Sequence, residues 1–258
     1  EVATFRASHQ SNETAPCHKS AKVSEQGILV RDNVYGSLEE DAERRDFTVN
    51  ALYYSADNFT VIDHVGGIED LEKRQLRLIG DPEARYTEDP VRILRAIRLS
   101  AKLNLSIEPK TAAPIKSLSE MLEHVSSARL WDESNKLLLA GHAKTTWLKL
   151  CEFDVARHLF NQTCHSLKKD NSNFEQFVLN ALNNTDKRIA NQQPVTPAFL
   201  FAVFLWKPMQ EMMEKLQARG MPRQEAMHKA SSKVLENQRQ SISIPKRFSI
   251  TIREIWSL

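Results

Sequence analysis

The feature that most constrains this chain is a change of pattern at Gly80. Before it, short apolar runs alternate with turn-forming residues. Residues 52–54 and 59–63 are rich in β-branched and aromatic side chains, and Ser55, Ala56, Asp57 and Asn58 separate them, so the spacing predicts a hairpin. Gly66 and Gly67 punctuate the chain next, and residues 76–79 form another short apolar run. After Gly80, glycine becomes rare and apolar residues recur at helical spacing to the end. Pro90, Pro109, Pro114, Pro194, Pro197, Pro208, Pro222 and Pro245 mark helix starts or breaks. The expected fold class is therefore α+β, a small α/β portion followed by a larger all-α portion, with segments at residues 1–80, 81–145 and 146–258.

A hydrophobic fraction of 41% supplies a core and excludes general disorder. The best apolar run, residues 198–206, is far shorter than the ~20 residues a membrane span needs. Cys17, Cys151 and Cys164 are odd in number and no secretory signal precedes them, which suits reduced thiols in a cytoplasmic protein. The Cys17–His18 and Cys164–His165 dipeptides lack the paired spacing of a structural zinc site, so no metal is expected there. Residues 1–6 alternate like the middle of a strand and carry no initiator Met, which leads us to expect further sequence upstream; the ending at Leu258 is read in the same way. Residues 7–26 are polar without periodicity and are expected to form an exposed, mobile loop. Net charge is only +2, but basic residues concentrate between Lys73 and Lys102, a stripe that suits either a polyanion or a solvated helix face.

Four constellations could carry chemistry. Arg44, Arg45, Asp46 and Asn50 crowd two guanidiniums beside a carboxylate and an amide. The planar guanidinium fork matches phosphate oxygens, Asp46 could accept from a ribose hydroxyl or help hold a metal, and Asn50 can donate and accept. On spacing alone a surface ion-pair cluster is the stronger reading. Asp63, Gly66, Gly67 and Asp70 suit a hinge or a tight turn equally, and no catalysis is assigned to them. In the third, Pro90 is placed at the first position of a helix with Asp89 as its N-cap. At ~100° per residue, Ile93, Leu94, Ile97 and Ala101 form an apolar stripe, and Arg95, Arg98 and Lys102 fall together beside it. Asp89 and Arg92 are three residues apart and could present an acceptor and a donor fork to a base edge, or simply pair with one another. In the fourth, Arg129, Glu133 and Lys136 share one helix face, most simply as a salt-bridged surface. No P-loop, dinucleotide fingerprint, zinc-protease helix or nucleophile elbow is present, nor any His-Asp dipeptide.

Three ordered motifs, residues 36–50, 63–67 and 85–92, resemble the class II nucleotidyltransferases, the family of the bacterial poly(A) polymerases and the tRNA CCA-adding enzymes. Leu52, Tyr53 and Tyr54, with Ile244 to Arg247, look like the poly(A) polymerase branch. The resemblance implies template-independent addition of adenosines from ATP to an RNA 3′ end, the 3′ hydroxyl attacking the α-phosphate as pyrophosphate leaves. It implies that Arg44, Arg45 and Asn50 bind the nucleotide with Asp46 as a catalytic carboxylate, and that Asp89 and Arg92 read the base. It makes residues 63–71 a hinge, and Arg129, Glu133 and Lys136 supports of the neck helix. Arg95, Arg98 and Lys102 are the candidate RNA-phosphate contacts. The family places an Asp-x-Asp pair for Mg²⁺ upstream of the strand that matches residues 1–6, so no metal ligand is assigned within this chain, which is expected not to catalyse alone. RNA-decay proteins are possible partners by the same resemblance. The polymerase branch often ends in a basic tail that adds RNA affinity, which this chain is expected to lack. The alternatives are a CCA-adding enzyme and a non-catalytic RNA-binding helical module.

Overall fold

The computed structural model describes residue 5, residues 35–169 and residues 173–258. The expectations of a strand at residues 1–6 and a loop at residues 7–26 lie outside the described residues, Phe5 apart. The chain forms two compact units, residues 1–121 and 122–258.

In the first unit, helix α1 (Leu38–Arg44) opens with a reciprocal capping box: Ser37 Oγ accepts from the Glu40 N–H at 3.2 Å, and Glu40 accepts from the Ser37 N–H at 2.7 Å. A 3₁₀ turn (Thr48–Asn50) leads into the hairpin of β1 (Leu52–Ser55) and β2 (Thr60–Asp63), antiparallel with Leu52 opposite Asp63 and Ser55 opposite Thr60. Phe59, read from sequence as strand, instead belongs to the turn, with a left-handed φ of 54°. Helix α2 (Gly67–Glu72) and strand β3 (Gln75–Leu76) follow, then α3 (Pro82–Glu88), α4 (Val91–Leu103) and β4 (Ser106–Ile107). Short helices α5 (Pro109–Ala112) and α6 (Ile115–Leu118) complete the unit. β3 pairs in parallel with β4, so this unit runs on through Gly80. Of the apolar run 76–79, only Leu76 is in a strand. Leu78 bridges Phe47, and the Ile79 N–H donates to the Asp46 carbonyl at 2.9 Å. That bridge lays the segment around Asp46 against the approach to α3. Phe47, Leu76, Tyr86, Ile93, Leu94 and Ile97 are fully buried around it.

Helix α4 buries Val91, Ile93, Leu94, Ala96, Ile97, Ser100 and Ala101, which includes all four members of the expected apolar stripe. It ends at Asn104 in the left-handed conformation, a region Asn tolerates better than most residues.

The second unit is helical throughout its described residues: α7 (Ser127–Leu138), α8 (Ala143–Glu152), α9 (Ala156–Leu159), α10 (Asn161–Lys169), α11 (Asn173–Ala190), α12 (Pro197–Phe204), α13 (Trp206–Ala218), α14 (Arg223–Ser241) and α15 (Lys246–Ser257). α12 is capped by Thr196, has Pro197 in its first turn, and is apolar on every side because it is the core. Its Phe204 lies 4.8 Å from Trp147 and 4.6 Å from Phe160, ring centre to ring centre, and Phe201 packs on Trp131 at 5.2 Å. Trp256 of α15 donates its indole N–H to the Ala202 carbonyl at 3.0 Å. Each such ring buried adds roughly 1.5–3 kcal/mol. Pro109 and Pro197 lie in first helical turns, and Pro90, Pro114, Pro222 and Pro245 stand just before helices, as their fixed φ favours. Among the described residues no helix is long and apolar enough to cross a membrane.

Candidate functional site: an arginine and carboxylate cluster

The cluster lies wholly in the first unit and is built from α1, the residues that follow it, α3 and the start of α4. Asp41 of α1 is buried. Its Oδ1 accepts from Arg44 Nε at 3.2 Å, and its Oδ2 accepts from Arg45 Nη2 at 3.0 Å and from the Tyr53 hydroxyl at 2.8 Å. The Arg45 guanidinium also lies 5.3 Å from the centre of the Tyr53 ring, a cation–π distance. The two adjacent arginines are thus aimed by a carboxylate three and four residues earlier on the same helix. Arg45 keeps 44% of its side chain exposed and Arg44 25%.

Asp46 is held from three directions. Arg95 donates to Oδ2 from α4, while Asn50 Nδ2 at 3.0 Å and the Phe47 N–H at 2.9 Å donate to Oδ1. Burial pushes the Asp46 carboxyl up, but the Arg95 charge and these hydrogen bonds outweigh it and hold the group below its ordinary value. Asp46 is therefore ionised at neutral pH. Asn50, read as a nucleotide ligand, spends one amide hydrogen on Asp46. Arg95, read as an RNA contact, is the ion-pair partner of Asp46 with 36% of its side chain exposed. Spacing could not reveal this pair, because its members are 49 residues apart.

The helix start differs by one residue from the sequence reading. α4 begins at Val91 with Pro90 as its cap residue. The capping chemistry still belongs to Asp89, whose Oδ1 accepts from the Val91 N–H at 3.2 Å. The structure brings Arg92 to Glu88 rather than to Asp89. Its Nη1 donates to Glu88 Oε2 at 2.6 Å and to the Arg85 carbonyl at 2.7 Å. Nε and Nη2 of Arg92 make no hydrogen bond among the described residues, and 14% of the side chain is exposed. One edge of this guanidinium is anchored and the other is available. Arg98 and Lys102 form no ion pair among the described residues; Arg98 is half-buried and Lys102 exposed. On α7, Glu133 is buried and accepts from Lys136 at 2.7 Å, while Arg129 is exposed.

Sequence reasoning passed over Asp41, Arg85 and Glu88. Their signal lay in the quoted motifs, at helical spacing from residues already chosen. The turn at Asp63 is explained fully by local bonding. Asp63 accepts four backbone N–H groups, from Val65, Gly66, Gly67 and Ile68, at 2.9–3.1 Å. Gly66 adopts φ 79°, and a Cβ on Gly67 would sit 2.4 Å from the Thr48 carbonyl oxygen. Asp70, also buried, accepts from the Thr48 hydroxyl at 2.7 Å and from Arg77 at 2.9 Å, so α2 is fastened to the 3₁₀ turn that carries Asn50.

The described residues contain no group of three His, Cys, Asp or Glu side chains placed to hold a metal ion.

The architecture and the ordered motifs define a class II nucleotidyltransferase. A solved CCA-adding enzyme in an apo form superposes on 98% of this chain and 60% of its own, with a TM-score of 0.53 at 21% identity, which shows a shared fold. Residues 1–77 match the family described as the poly A polymerase head domain, residues 104–167 the probable RNA and SrmB-binding site of polymerase A, and residues 219–258 the polymerase A arginine-rich C-terminus. The whole chain is 46% identical to poly(A) polymerase I of Salmonella typhimurium and 44% identical to that of Haemophilus influenzae. A CCA-adding enzyme of Leuconostoc citreum is 39% identical over 48% of the chain. The chain belongs to the bacterial poly(A) polymerase family. It spans 56–57% of the length of those two polymerases. The residues matched to the arginine-rich C-terminus form α14 and α15.

Proposed function

We propose that this chain serves template-independent adenylation of RNA 3′ ends, with ATP as the substrate. The observation that carries the reading is the half-anchored guanidinium of Arg92. Glu88 and the Arg85 carbonyl fix one nitrogen, so Nε and Nη2, which make no hydrogen bond among the described residues, are held in a set direction. An oriented donor beside an acceptor, Asp89 at the same helix start, is the chemistry that reads a base edge. Adenine presents a ring-nitrogen acceptor next to an amino donor, which such a pair can match. Arg44 and Arg45, aimed by Asp41, supply cations for the triphosphate, and ionised Asp46 with Asn50 lies beside them for the ribose. The RNA 3′ hydroxyl attacks the α-phosphate, and pyrophosphate departs. Mg²⁺ would supply charge neutralisation at the phosphates.

In this reading residues 1–80 act as the head, 81–145 as the base-reading neck and 146–258 as the helical body. Residues 63–71 form the hinge, and Arg129, Glu133 and Lys136 brace the neck. Arg98 and Lys102 contact RNA phosphates, with Arg95 shared between Asp46 and the strand. The setting is the cytoplasm, and proteins of RNA decay are the natural partners. Catalysis of the same class with CTP would instead make a CCA-adding enzyme.

The test measures ATP and CTP separately, first by equilibrium binding to the chain and then by extension of a short RNA. Preference for ATP, reduced in Arg92→Ala, supports the reading. Use of both nucleotides with arrest after a few additions identifies a CCA-adding enzyme. RNA binding with no preference between the nucleotides leaves a passive helical module.

A further inference from the structure

Arg85 is the most heavily committed side chain of the cluster. Its Nη1 donates to Glu88 Oε2 at 3.0 Å, and its Nη2 donates to the carbonyls of Arg44 at 2.7 Å and Arg45 at 2.8 Å. Its own carbonyl accepts from Arg92 Nη1 at 2.7 Å. Only 17% of the side chain is exposed, and Nε is buried with no partner among the described residues. A buried donor left unpaired is costly and calls for an explanation. A simple surface ion pair gives none, because such a pair would not crowd Arg85 and Arg92 onto one Glu88 carboxylate oxygen.

We propose that Arg85 is a positioning residue that sets nucleotide choice through Arg92. It acts in two directions at once. Through Glu88 and its own carbonyl it fixes the anchored edge of Arg92. Through Nη2 it ties the same assembly to the backbone of Arg44 and Arg45, the two residues that flank the triphosphate. The base reader and the phosphate grip thereby keep a constant separation, so a purine edge is met at the distance a bound triphosphate dictates. Only the planar guanidinium fork can reach Glu88 and both carbonyls together; a lysine ammonium is a single point and would satisfy one side.

This inference rests on the reading of Arg92 as the base reader, and the experiment separates the two. ATP and CTP affinities are measured by calorimetric titration for the chain and for Arg85→Lys, Glu88→Gln, Arg92→Ala, and Arg85→Lys combined with Arg92→Ala. Thermal melts accompany each variant. Arg85→Lys is expected to reduce the ATP:CTP affinity ratio by about tenfold, within the range for one well-placed donor fork. Glu88→Gln, which leaves the Arg85 bonds to both carbonyls in place, should reduce it in the same sense and covers the case in which Arg85→Lys does not fold. In the Arg92→Ala background Arg85→Lys should leave the ratio unchanged, since nothing remains to be positioned. An unchanged ratio in the folded Arg85→Lys and Glu88→Gln chains, with Arg92→Ala still losing selectivity, would overturn the role of Arg85 alone. Equal affinity of the unmodified chain for the two nucleotides would overturn the base-reading site and this inference with it.

Discussion

The most direct test of the packing beneath the site is Gly67→Ala. The new methyl carbon would lie 2.4 Å from the Thr48 carbonyl oxygen, 3.0 Å from the Thr48 carbonyl carbon and 3.1 Å from Leu52 Cδ2. Two of these neighbours are backbone, so a side-chain rotation cannot relieve the clash. Either α2 or the 3₁₀ turn must move by roughly half an ångström or more, and overpacking of this kind costs about 1–3 kcal/mol. Alanine restores up to ~1 kcal/mol by restricting the unfolded chain. With backbone atoms in the clash the upper part of the overpacking range applies, about 2–3 kcal/mol, so a net loss of about 1–2 kcal/mol remains, worth roughly 3–10 °C in Tm for a unit of this size. Scanning calorimetry should place the loss in the transition that carries residues 1–121. Hydrogen exchange should report it at the Ala51 N–H, which donates to the same Thr48 carbonyl at 3.0 Å. Gly220→Ala is the control. No atom lies within 4 Å of its added carbon, but its φ of +87° makes the substitution costly through the backbone alone, by about 1–2 kcal/mol. A Gly67→Ala chain that melts within 1 °C of the parent would refute the close approach of α2 to the turn, as roughly one-third of the smallest shift expected.

Two further outcomes are expected. Replacing Arg98 and Lys102 by alanine should weaken RNA binding and lower the slope of log affinity against log salt by about 1.4, at ~0.7 per phosphate on a single strand; an unchanged slope would remove both from the RNA track. Burial, with Cys151 nearby, pushes the Cys164 thiol up to about 12 from an ordinary 9.0, whereas Cys151 is exposed. Because the thiolate is the reactive form, alkylation of Cys164 at pH 8, in a chain carrying Cys17→Ser and Cys151→Ser, should run at least ~10-fold slower than that of a free thiol and rise with pH well past 9; fast labelling at pH 8 would show this thiol to be better solvated than the structure has it.

The parts of the site legible in sequence were those whose cause is local. The apolar stripe of α4 follows from helical periodicity within a dozen residues, and Asp89 caps its first turn because the short carboxylate reaches the next free N–H groups. The Asp63 turn was visible as a pattern of glycines, though not its purpose, since nothing in the spacing shows that Thr48 lies against Gly67. Arg95 shows the limit most clearly. Periodicity put it correctly beside Arg98 and Lys102 on α4, yet its charge is met by Asp46, which only the Phe47–Leu78 bridge brings within reach. Arg92 shows a second limit. Residues three and four away on either side are equally available to a helical arginine, and the choice of Glu88 is made by the way α3 ends and α4 begins.

By itself, then, the sequence determined the elements and the family. The hairpin, the helices that start at prolines and the ordered motifs are written in composition and spacing over a few residues at a time. The tertiary structure alone decided the partners. Tyr53 donates to Asp41, Asp46 is claimed by Arg95, and Arg85 joins α3 to the backbone that follows α1. A side chain's charge is a local property, but whether it is spent or available depends on which distant segment folding sets within ~3 Å of it.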